Sequence, residues 1–421
     1  MATRRLRRLR PDEYTVGWVC ALSTELAAAE EMLDEVHEDI GRDENDNNIY
    51  SLGVLGGHNI VIVCLPAGLI GSNPAAAVAQ QMKARFRSVR FGLMVGVGGG
   101  VPSTADIRLG DVVVSQPHSG HGGVVQYDCG KTESTGFHRT GFLNCPDTLL
   151  LNAVSKVKAE HLRGKSTFLE HAMKVHRMPN FRRGDAGIDV LFKATYDHQP
   201  GLSCSQCSLT QREIRPQLGR NKPRVHYGTI ASGNQVIKTG QIRDQVSKEF
   251  GGVLCFEMEA AGLMNILPCL VVRGICDYAD SHKNKRWQPY AAGSAAAYAK
   301  ELLLHIPATK ISKENDSSTI SIGYSLSRGR RNRDDPEDMD IEESSDSGSS
   351  DDESDGPYWR RVQCFGCERY GHFQRDCPSS VECFNCGSEG HIASDCDRRD
   401  GNCYKCGTYG HHLATCRVKR F

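Results

Sequence analysis

A cysteine–histidine repeat, C-x2-C-x4-H-x4-C, occurs three times in tandem between residues 364 and 416. The repeats supply three ligand sets: Cys364, Cys367, His372 and Cys377; Cys383, Cys386, His391 and Cys396; and Cys403, Cys406, His411 and Cys416. In each set, two thiolates separated by two residues can hold Zn²⁺ from a tight turn, while the imidazole and the last thiolate complete a tetrahedron. Because this segment has few apolar residues, metal binding must supply most of the free energy that folds it. The repeats therefore predict three small modules, each built around one structural zinc ion.

The three repeats resemble the zinc knuckles of retroviral nucleocapsid proteins and of cellular single-strand-binding proteins. An aromatic residue follows the first cysteine of each copy, namely Phe365, Phe384 and Tyr404. Such aromatics can stack on bases while nearby arginines and lysines contact phosphates. The resemblance implies that this segment binds single-stranded RNA or DNA, and a module that binds only other proteins is the alternative.

The formal net charge of the 421-residue chain is zero, but this value averages over segments of opposite sign. Residues 1–10 carry five arginines, whereas residues 334–355 carry twelve acidic residues and no basic one. Residues 308–356 contain too few large apolar side chains to offset the entropy of an ordered chain. We therefore expect a basic N-terminal tail (1–13), one large domain (14–307), a disordered linker rich in serine and acids (308–356) and the three-repeat segment (357–421).

The cysteines and the hydropathy pattern indicate in which cellular compartment the protein is expected. Nine of the eighteen cysteines belong to the zinc repeats and nine are scattered through the large domain, which favours a reducing compartment over a secreted disulfide scaffold. The chain has no apolar run of about eighteen residues and no apolar core after its basic start, so neither a membrane span nor a secretory signal is predicted. We expect a cytoplasmic or nuclear protein.

The large domain alternates between apolar strand-like runs and alanine-rich helical runs. Strands are predicted in TVGWVCAL, NIVIVCL, FGLMVGVG, GDVVVS, HYGTIAS and CLVVRGI, and helices in TELAAAEEMLDEV, NPAAAVAQQMKARF, FEMEAAGLMNIL and AAGSAAAYAKELLLHI. This alternation indicates an α/β fold whose sheet is covered by helices on both faces. Ser23 or Thr24 is the expected N-cap of the first helix. Residues 119–224 have weaker periodicity and are expected to form a long insertion with two or three helices and mobile loops.

Two motifs follow consecutive strands of this domain: E-M-E-A at residues 257–260, and R-x-x-x-D-x-x-D at residues 273–280. Together they resemble the purine nucleoside phosphorylase and nucleosidase superfamily, and within it the methylthioadenosine/adenosylhomocysteine nucleosidases. The domain is also similar to nucleoside phosphorylase domains of many fungal proteins, some of which are joined to immune-receptor-like architectures. The resemblance implies a mixed central sheet flanked by helices, and cleavage of the N-glycosidic bond of a purine nucleoside without a cofactor.

The resemblance also implies roles for individual residues. Asp277 matches the aspartate that protonates purine N7, and Glu25 and Arg273 match the residues that orient the attacking water. Glu259 matches the glutamate that binds the 2′ and 3′ hydroxyls of ribose, and Glu257 is its partner acid. The remaining predicted substrate contacts are Met258 against the sugar face, Gly98 and Gly99 of the glycine run, and the backbone of Ile237 at the base. Taken singly, the acids could instead cap a helix and Arg273 could form a structural ion pair.

Two positions, Glu25 and Val97, indicate whether water or phosphate is the nucleophile. Phosphorylases of the superfamily carry a phosphate-binding arginine in an early glycine loop, where this chain has Glu25, and a hydroxyl residue where this chain has Val97. Both differences favour water over phosphate as the nucleophile. Nucleosidases carry serine at the position of Val97, so one contact to the attacking water is missing here. Bacterial nucleosidases carry a base-stacking phenylalanine at the position of Val236, so base recognition must differ here. A phosphorylase and a non-catalytic nucleoside-sensing protein are the alternatives.

Two further expectations concern assembly and metal. Because sites in this superfamily commonly borrow a loop from a neighbouring subunit, we expect a homo-oligomer. Cys204 and Cys207 form an isolated C-x2-C pair within residues 119–224. Such a pair is compatible with a second kind of zinc site and with two ordinary thiols. His282 and the other histidines of the large domain are expected to be surface or hydrogen-bonded residues.

Overall fold

The computed structural model describes residues 6–134, 136–201, 203–216 and 222–308. The predicted linker from residue 309 onward and the three Cys/His repeats, with all twelve of their zinc ligands, lie outside the described residues. The strands are β1 (Val16–Cys20), β2 (Glu35–Val36), β3 (Tyr50–Leu55), β4 (His58–Cys64), β5 (Phe91–Gly100), β6 (Val112–Ser115), β7 (Val124–Gln126), β8 (Gly130–Glu133), β9 (Gly136–Arg139), β10 (Val225–Gly228), β11 (Ile230–Ser232), β12 (Cys255–Glu257) and β13 (Cys269–Asp277). The α-helices are α1 (Ser23–Met32), α2 (Ser72–Arg85), α3 (Thr148–Leu162), α4 (Phe168–Val175), α5 (Arg183–Ala186), α6 (Gly240–Glu249), α7 (Ala260–Leu263) and α8 (Gln288–Leu304).

Eleven strands form one mixed sheet, in which the main path runs β10-β6-β13-β5-β1-β4-β3-β2. The central strands β13, β5, β1 and β4 are parallel, whereas β6 and β3 pair antiparallel with β13 and β4. Strand β5 is long enough to leave this path, and its last residues pair with β12, which in turn pairs with β11. The carboxyl ends of the parallel strands β5 and β13 therefore meet at one edge, and β12 runs antiparallel beside the last residues of β5.

Alternate residues of the central strands are buried on opposite faces of the sheet. Trp18 and Leu93 pack on one face with α1, α3, α4 and α8, and Val19 and Met94 pack on the other with α2 and α7. Burial on both faces explains why these strands read as continuous apolar runs rather than as alternating ones. The predicted α/β fold with a mixed sheet flanked by helices is confirmed.

Helix α8 is buried on nearly all sides because its small side chains allow close packing. At Gly274 of β13, a Cβ atom would collide with the backbone of Ala291, so glycine is required for the helix to approach the strand this closely. This contact holds β13 rigidly against α8 between its two functional positions, residues 273 and 277.

Two of the segments predicted from the sequence differ from those in the structure. Residues 119–224 contain three α-helices, but α3 and α4 pack into the main core and β7 pairs with β11, so much of this stretch is integrated into the domain. The run FEMEAAGLMNIL, expected to be one helix, begins as β12 because Cys255 and Phe256 pair with the end of β5, and only Ala260–Leu263 is helical. Among the described helices, none combines the length and the apolar character that a membrane crossing requires.

Candidate active site

Arg273 lies on β13 with a fully buried side chain. Its Nη2 atom donates to the Glu257 carboxylate and lies 3.4 Å from Oε2 of Glu259. Burial by itself lowers the pKa of Arg273, but the three carboxylates of Glu257, Glu259 and Glu25 outweigh burial and raise it. Nε and Nη1 have no hydrogen-bond partner among the described residues. The guanidinium is therefore a permanent buried cation with donors still available to a substrate or a water molecule.

Glu25 reaches the same point from the first turn of α1. Its Oε2 accepts from the backbone N–H groups of Ala21 (2.7 Å) and Leu22 (2.9 Å), and its Oε1 accepts from the N–H of Val97 (2.8 Å). Burial raises the pKa of Glu25, although Arg273 and these backbone donors oppose the rise. Three donors fix the carboxylate in one orientation, as expected of a group that must act on a precisely placed atom.

The expectation that Ser23 or Thr24 caps α1 is wrong. The N-cap is Leu22, and Glu25 at the third helical position binds the N–H of the N-cap residue. The reason is that β1 ends at Cys20 and the chain turns at once, so the free N–H groups of the turn face the Glu25 side chain. One glutamate therefore both closes the turn and enters the site.

Gly96 of β5 separates Glu25 from Arg273. It pairs with Arg273 across the β5–β13 ladder, and a Cβ atom at this position would lie 2.5 Å from Glu25 Oε1 and would also overlap Arg273 Nη1. A side chain at residue 96 is thus incompatible with the approach of the two charged groups. Glycine here is a requirement of the site rather than of the strand.

The E-M-E-A motif lies where β12 ends. Glu257 accepts from the backbone N–H groups of Glu259 (3.1 Å) and Ala260 (3.0 Å) as well as from Arg273. It therefore both starts α7 and orients Arg273, which combines the two structural roles that the sequence had left open. Met258 is half-buried beside it.

Glu259 is buried and has fewer partners, since Oε1 lies 3.4 Å from the N–H of Gly71 and Oε2 faces Arg273. Burial raises its pKa to about 7, with Arg273 opposing the rise and the carboxylates of Glu257 and Glu25 adding to it. This carboxylate is the member of the cluster best able to accept hydrogen bonds from a ligand.

Asp277 ends β13, four residues after Arg273. Its Oδ1 accepts from the N–H of Ala279 (2.8 Å) and lies 3.0 Å from Nζ of Lys283. Its side chain is about one-seventh exposed, at 14%. Gly99 of β5 lies directly beside it, because a Cβ atom at residue 99 would be 2.8 Å from Oδ1. The acid is thus held at the rim of the site, and the Cys276 thiol donates to its second oxygen, Oδ2, at 3.3 Å.

The glycine run of β5 connects the two halves of the site. A Cβ atom at Gly98 would lie 2.5 Å from Cys255 Sγ and 3.4 Å from Cβ of Arg273, so Gly98 lies between β12 and the cluster. Ile237 is different: its side chain belongs to a buried apolar cluster with Tyr127 and Phe256. The structure thus brings Glu25, Arg273, Glu257 and Glu259 into one cluster, holds Asp277 beside Gly99 of the same glycine run, and places the Ile237 side chain in the adjacent core.

Sequence reasoning missed a group that anchors α2 beside Glu259. Asn234 Oδ1 accepts from both the N–H and the hydroxyl of Ser72 at 3.0 Å, and Asp128 accepts from the N–H of Asn234 at 2.6 Å. Because Gly71 precedes Ser72, this network fixes the N–H that faces Glu259. A polar residue directly after a buried strand, as Asn234 follows β11, was the available signal.

Comparisons with known proteins identify the families to which the two parts of the chain belong. Residues 15–304 match the model of the phosphorylase superfamily, and residues 362–379 and 381–398 match the model of the zinc knuckle. The chain therefore belongs to the phosphorylase superfamily and carries zinc knuckles, so the resemblance seen in the sequence is confirmed. The two knuckle matches are the first two repeats, and the zinc site of the third, Cys403 to Cys416, stays a prediction.

Individual relatives differ in extent. A nucleotide-binding leucine-rich repeat (NLR)-like protein of Hyaloscypha variabilis is 48% identical over 299 residues, which cover 70% of this chain but only 30% of that protein. A 5′-methylthioadenosine/S-adenosylhomocysteine nucleosidase of Mycobacterium bovis is 25% identical over 302 residues, covering 70% of this chain and 97% of that protein.

Solved structures include the 5′-methylthioadenosine/S-adenosylhomocysteine nucleosidase of S. pneumoniae, with 18% identity, a TM-score of 0.46 and coverage of 70% of this chain and all of that one. The futalosine hydrolase of Helicobacter pylori has 18% identity, a TM-score of 0.47 and coverage of 69% and 97%.

Proposed function

We propose that the large domain is a purine nucleoside N-ribohydrolase that releases free base and ribose. Asp277 protonates N7 of the purine, the C1′–N9 bond breaks with oxocarbenium character at C1′, and a water molecule attacks C1′. Glu25 takes the proton of that water, and Arg273 orients its oxygen. Glu259 accepts hydrogen bonds from the ribose hydroxyls.

The observation that carries this proposal is the charge balance of the buried cluster. Three carboxylates, of Glu25, Glu257 and Glu259, surround a single guanidinium, that of Arg273. A phosphate dianion placed there would face uncompensated negative charge in a site of low dielectric, whereas a neutral water molecule would not. The same balance favours a positively charged sugar in the transition state.

Glu25 is suited to be the general base for a physical reason. Because burial raises its pKa, its carboxylate is a stronger base than an exposed glutamate, and three backbone donors keep it ionisable and fixed. Asp277 is suited to be the acid because Ala279 and Lys283 hold Oδ1, while Oδ2, whose partner is the weakly donating Cys276 thiol, can turn to the base of the nucleoside.

The test is chromatography of adenosine, guanosine, inosine and 5′-methylthioadenosine incubated with the protein, using wild type and Asp277→Asn. We expect release of free base by wild type and a loss of at least about 10²-fold in the variant, the low end for removing a general acid. Asp189→Asn is the matched control: its carboxylate is similarly exposed (17%) and also pairs with one cation, Arg215. This control should retain activity. No release from any nucleoside would favour the nucleoside-sensing alternative.

We propose further that the zinc knuckles bind single-stranded nucleic acid and that the protein is a homo-oligomer. The knuckles' aromatic residues and cations support the first statement. Fluorescence anisotropy with labelled single-stranded and duplex oligonucleotides tests it, and equal weak binding of both would contradict it. Light scattering coupled to size-exclusion chromatography tests the second, and a monomeric mass would contradict it.

A further inference from the structure

A second group of zinc-type ligands lies in the large domain, outside the candidate active site. Ligand atoms of His198, Cys204 and Cys207 all lie within 4.8 Å of one another. Cys207 is buried, Cys204 and His198 are half-buried, and the two cysteines are free. They occupy a tight 3₁₀ turn in which the N–H of Cys207 donates to the carbonyl of Cys204 at 3.1 Å. A turn of this kind lets two thiolates converge on one ion.

His282 provides an independent observation at the same place. Its side chain is only 5% exposed, and neither ring nitrogen has a hydrogen-bond partner among the described residues, since even the Asp280 carboxylate lies 3.9 Å from Nδ1. A buried imidazole without partners is costly, and such groups in native proteins require an explanation. The His282 ring stacks face to face on Phe192 at 4.1 Å and lies 5.5 Å from the His198 ring, edge to face. Stacking uses the faces of the ring and leaves its nitrogens free for an in-plane ligand.

We propose that His198, Cys204, Cys207 and His282 bind one structural Zn²⁺. Two thiolates and two imidazoles form the tetrahedral S₂N₂ set that zinc favours over harder cations. Ligand atoms in such a tetrahedron are about 3.3–3.8 Å apart, so the His198, Cys204 and Cys207 atoms need to approach by only about 1 Å. A disulfide between the two cysteines would leave both histidines unexplained.

The site joins the segment before β10 to the chain that leaves the active site. His282 follows Asp277 by five residues, and the N–H of His198 donates to the hydroxyl of Ser281 at 3.0 Å. A zinc ion here would fix the turn after Asp277, and therefore the orientation of the Asp277 carboxylate. The free energy of metal binding would outweigh the conformational entropy that the turn would gain by becoming disordered. This role is separate from the zinc knuckles and from the reaction itself.

The first test is the zinc content of the purified full-length chain by mass spectrometry of the metal. With the three repeats loaded, we expect four zinc ions in the wild type and three in the double variant Cys204→Ser/Cys207→Ser. The matched control is Cys129→Ser/Cys145→Ser, which changes two exposed cysteines of the same domain and should keep four. Equal zinc content in the two double variants would overturn the proposal.

The second test needs no cysteine variant and so does not depend on its folding. The thiols of Cys204 and Cys207 should resist alkylation in the native protein and react after zinc is removed with a chelator, as read from the mass of their peptide. Alkylation at the same rate with and without the chelator, or a peptide mass showing a disulfide, would overturn the proposal. His282→Ala should lose this zinc to the chelator at least about tenfold faster than wild type, because mutating even the residues that support a metal's ligands costs about 10–100-fold in metal affinity. An unchanged rate would remove His282 from the ligand set.

Discussion

Arg273→Met removes the only cation of the buried cluster and leaves the carboxylates of Glu25, Glu257 and Glu259 without it. All three are at least nine-tenths buried, with exposures of 3%, 5% and 6%. Removing one partner of a buried ion pair costs about 3–5 kcal/mol because the remaining charge is neither solvated nor paired. We expect a loss of this size in the free energy of unfolding near neutral pH, together with loss of any base release.

The pH dependence of that loss is specific to the charge argument. Without Arg273, the pKa values of Glu25 and Glu259, which burial already raises, rise further above their unfolded values, so the folded variant binds more protons than the unfolded chain. Stability of such a protein falls as pH rises. The cost of Arg273→Met relative to wild type should therefore be greater at about pH 7.5 than at about pH 5.5.

Urea unfolding followed by tryptophan fluorescence measures this cost at both pH values. Arg243→Met is the matched control, because Arg243 is also buried (2% exposed) but pairs with Asp244, whose side chain is 29% exposed and can be solvated. Its cost should be smaller and nearly independent of pH. If Arg273→Met costs no more than Arg243→Met, or the same at both pH values, the account of the cluster is refuted.

Three further predictions concern Gly96, Glu259 and the zinc knuckles. Gly96→Ala should cost about 1–3 kcal/mol of unfolding free energy in a denaturant titration and most of the activity, because its Cβ displaces Glu25 and Arg273; Gly184→Ala, with open space around its Cβ, should be near neutral in both. The folded pKa of Glu259, about 7, exceeds its ordinary value of 4.5, so the wild type loses stability as pH rises between these values. The melting temperature of Glu259→Gln minus that of wild type should therefore increase over this pH range and then level off. A difference that does not change with pH would contradict the raised pKa. Chelation just sufficient to strip the knuckles, but not the zinc proposed at Cys204 and Cys207, should abolish oligonucleotide binding in an anisotropy titration while leaving base release unchanged, since no knuckle residue takes part in the proposed reaction.

Much of the fold could be predicted because the central strands are apolar throughout. Runs such as those of β1, β5 and β13 are long enough to be recognised as buried strands, and the alanine-rich α8 as a buried helix. Short edge and crossover elements could not be predicted, because β12 has three residues and owes its conformation to pairing with the end of β5. Its local sequence, FEMEAAG, favours helix, and the partner strand lies more than 150 positions away in the chain.

The candidate site divides in a similar way. Glu257, Glu259, Arg273 and Asp277 could be named from the two motifs, and Glu25 from the first helix, because these segments resemble the superfamily. Their partners could not: the Gly71, Ser72 and Asn234 network depends on how α2 meets β11, and only the folded chain brings these residues together. The approach of His198 to the Cys204 and Cys207 pair, and of the His282 ring to His198, is likewise a tertiary event that the local spacing does not contain.

The central claim is that water attacks the nucleoside in a cluster that excludes phosphate. Initial rates of base release with and without phosphate, combined with phosphorus NMR of the products, test it most directly. The account predicts equal rates under both conditions, free ribose as the sugar product and no ribose 1-phosphate. A requirement for phosphate, with ribose 1-phosphate accumulating as base appears, would contradict it and would assign Glu25 a different role.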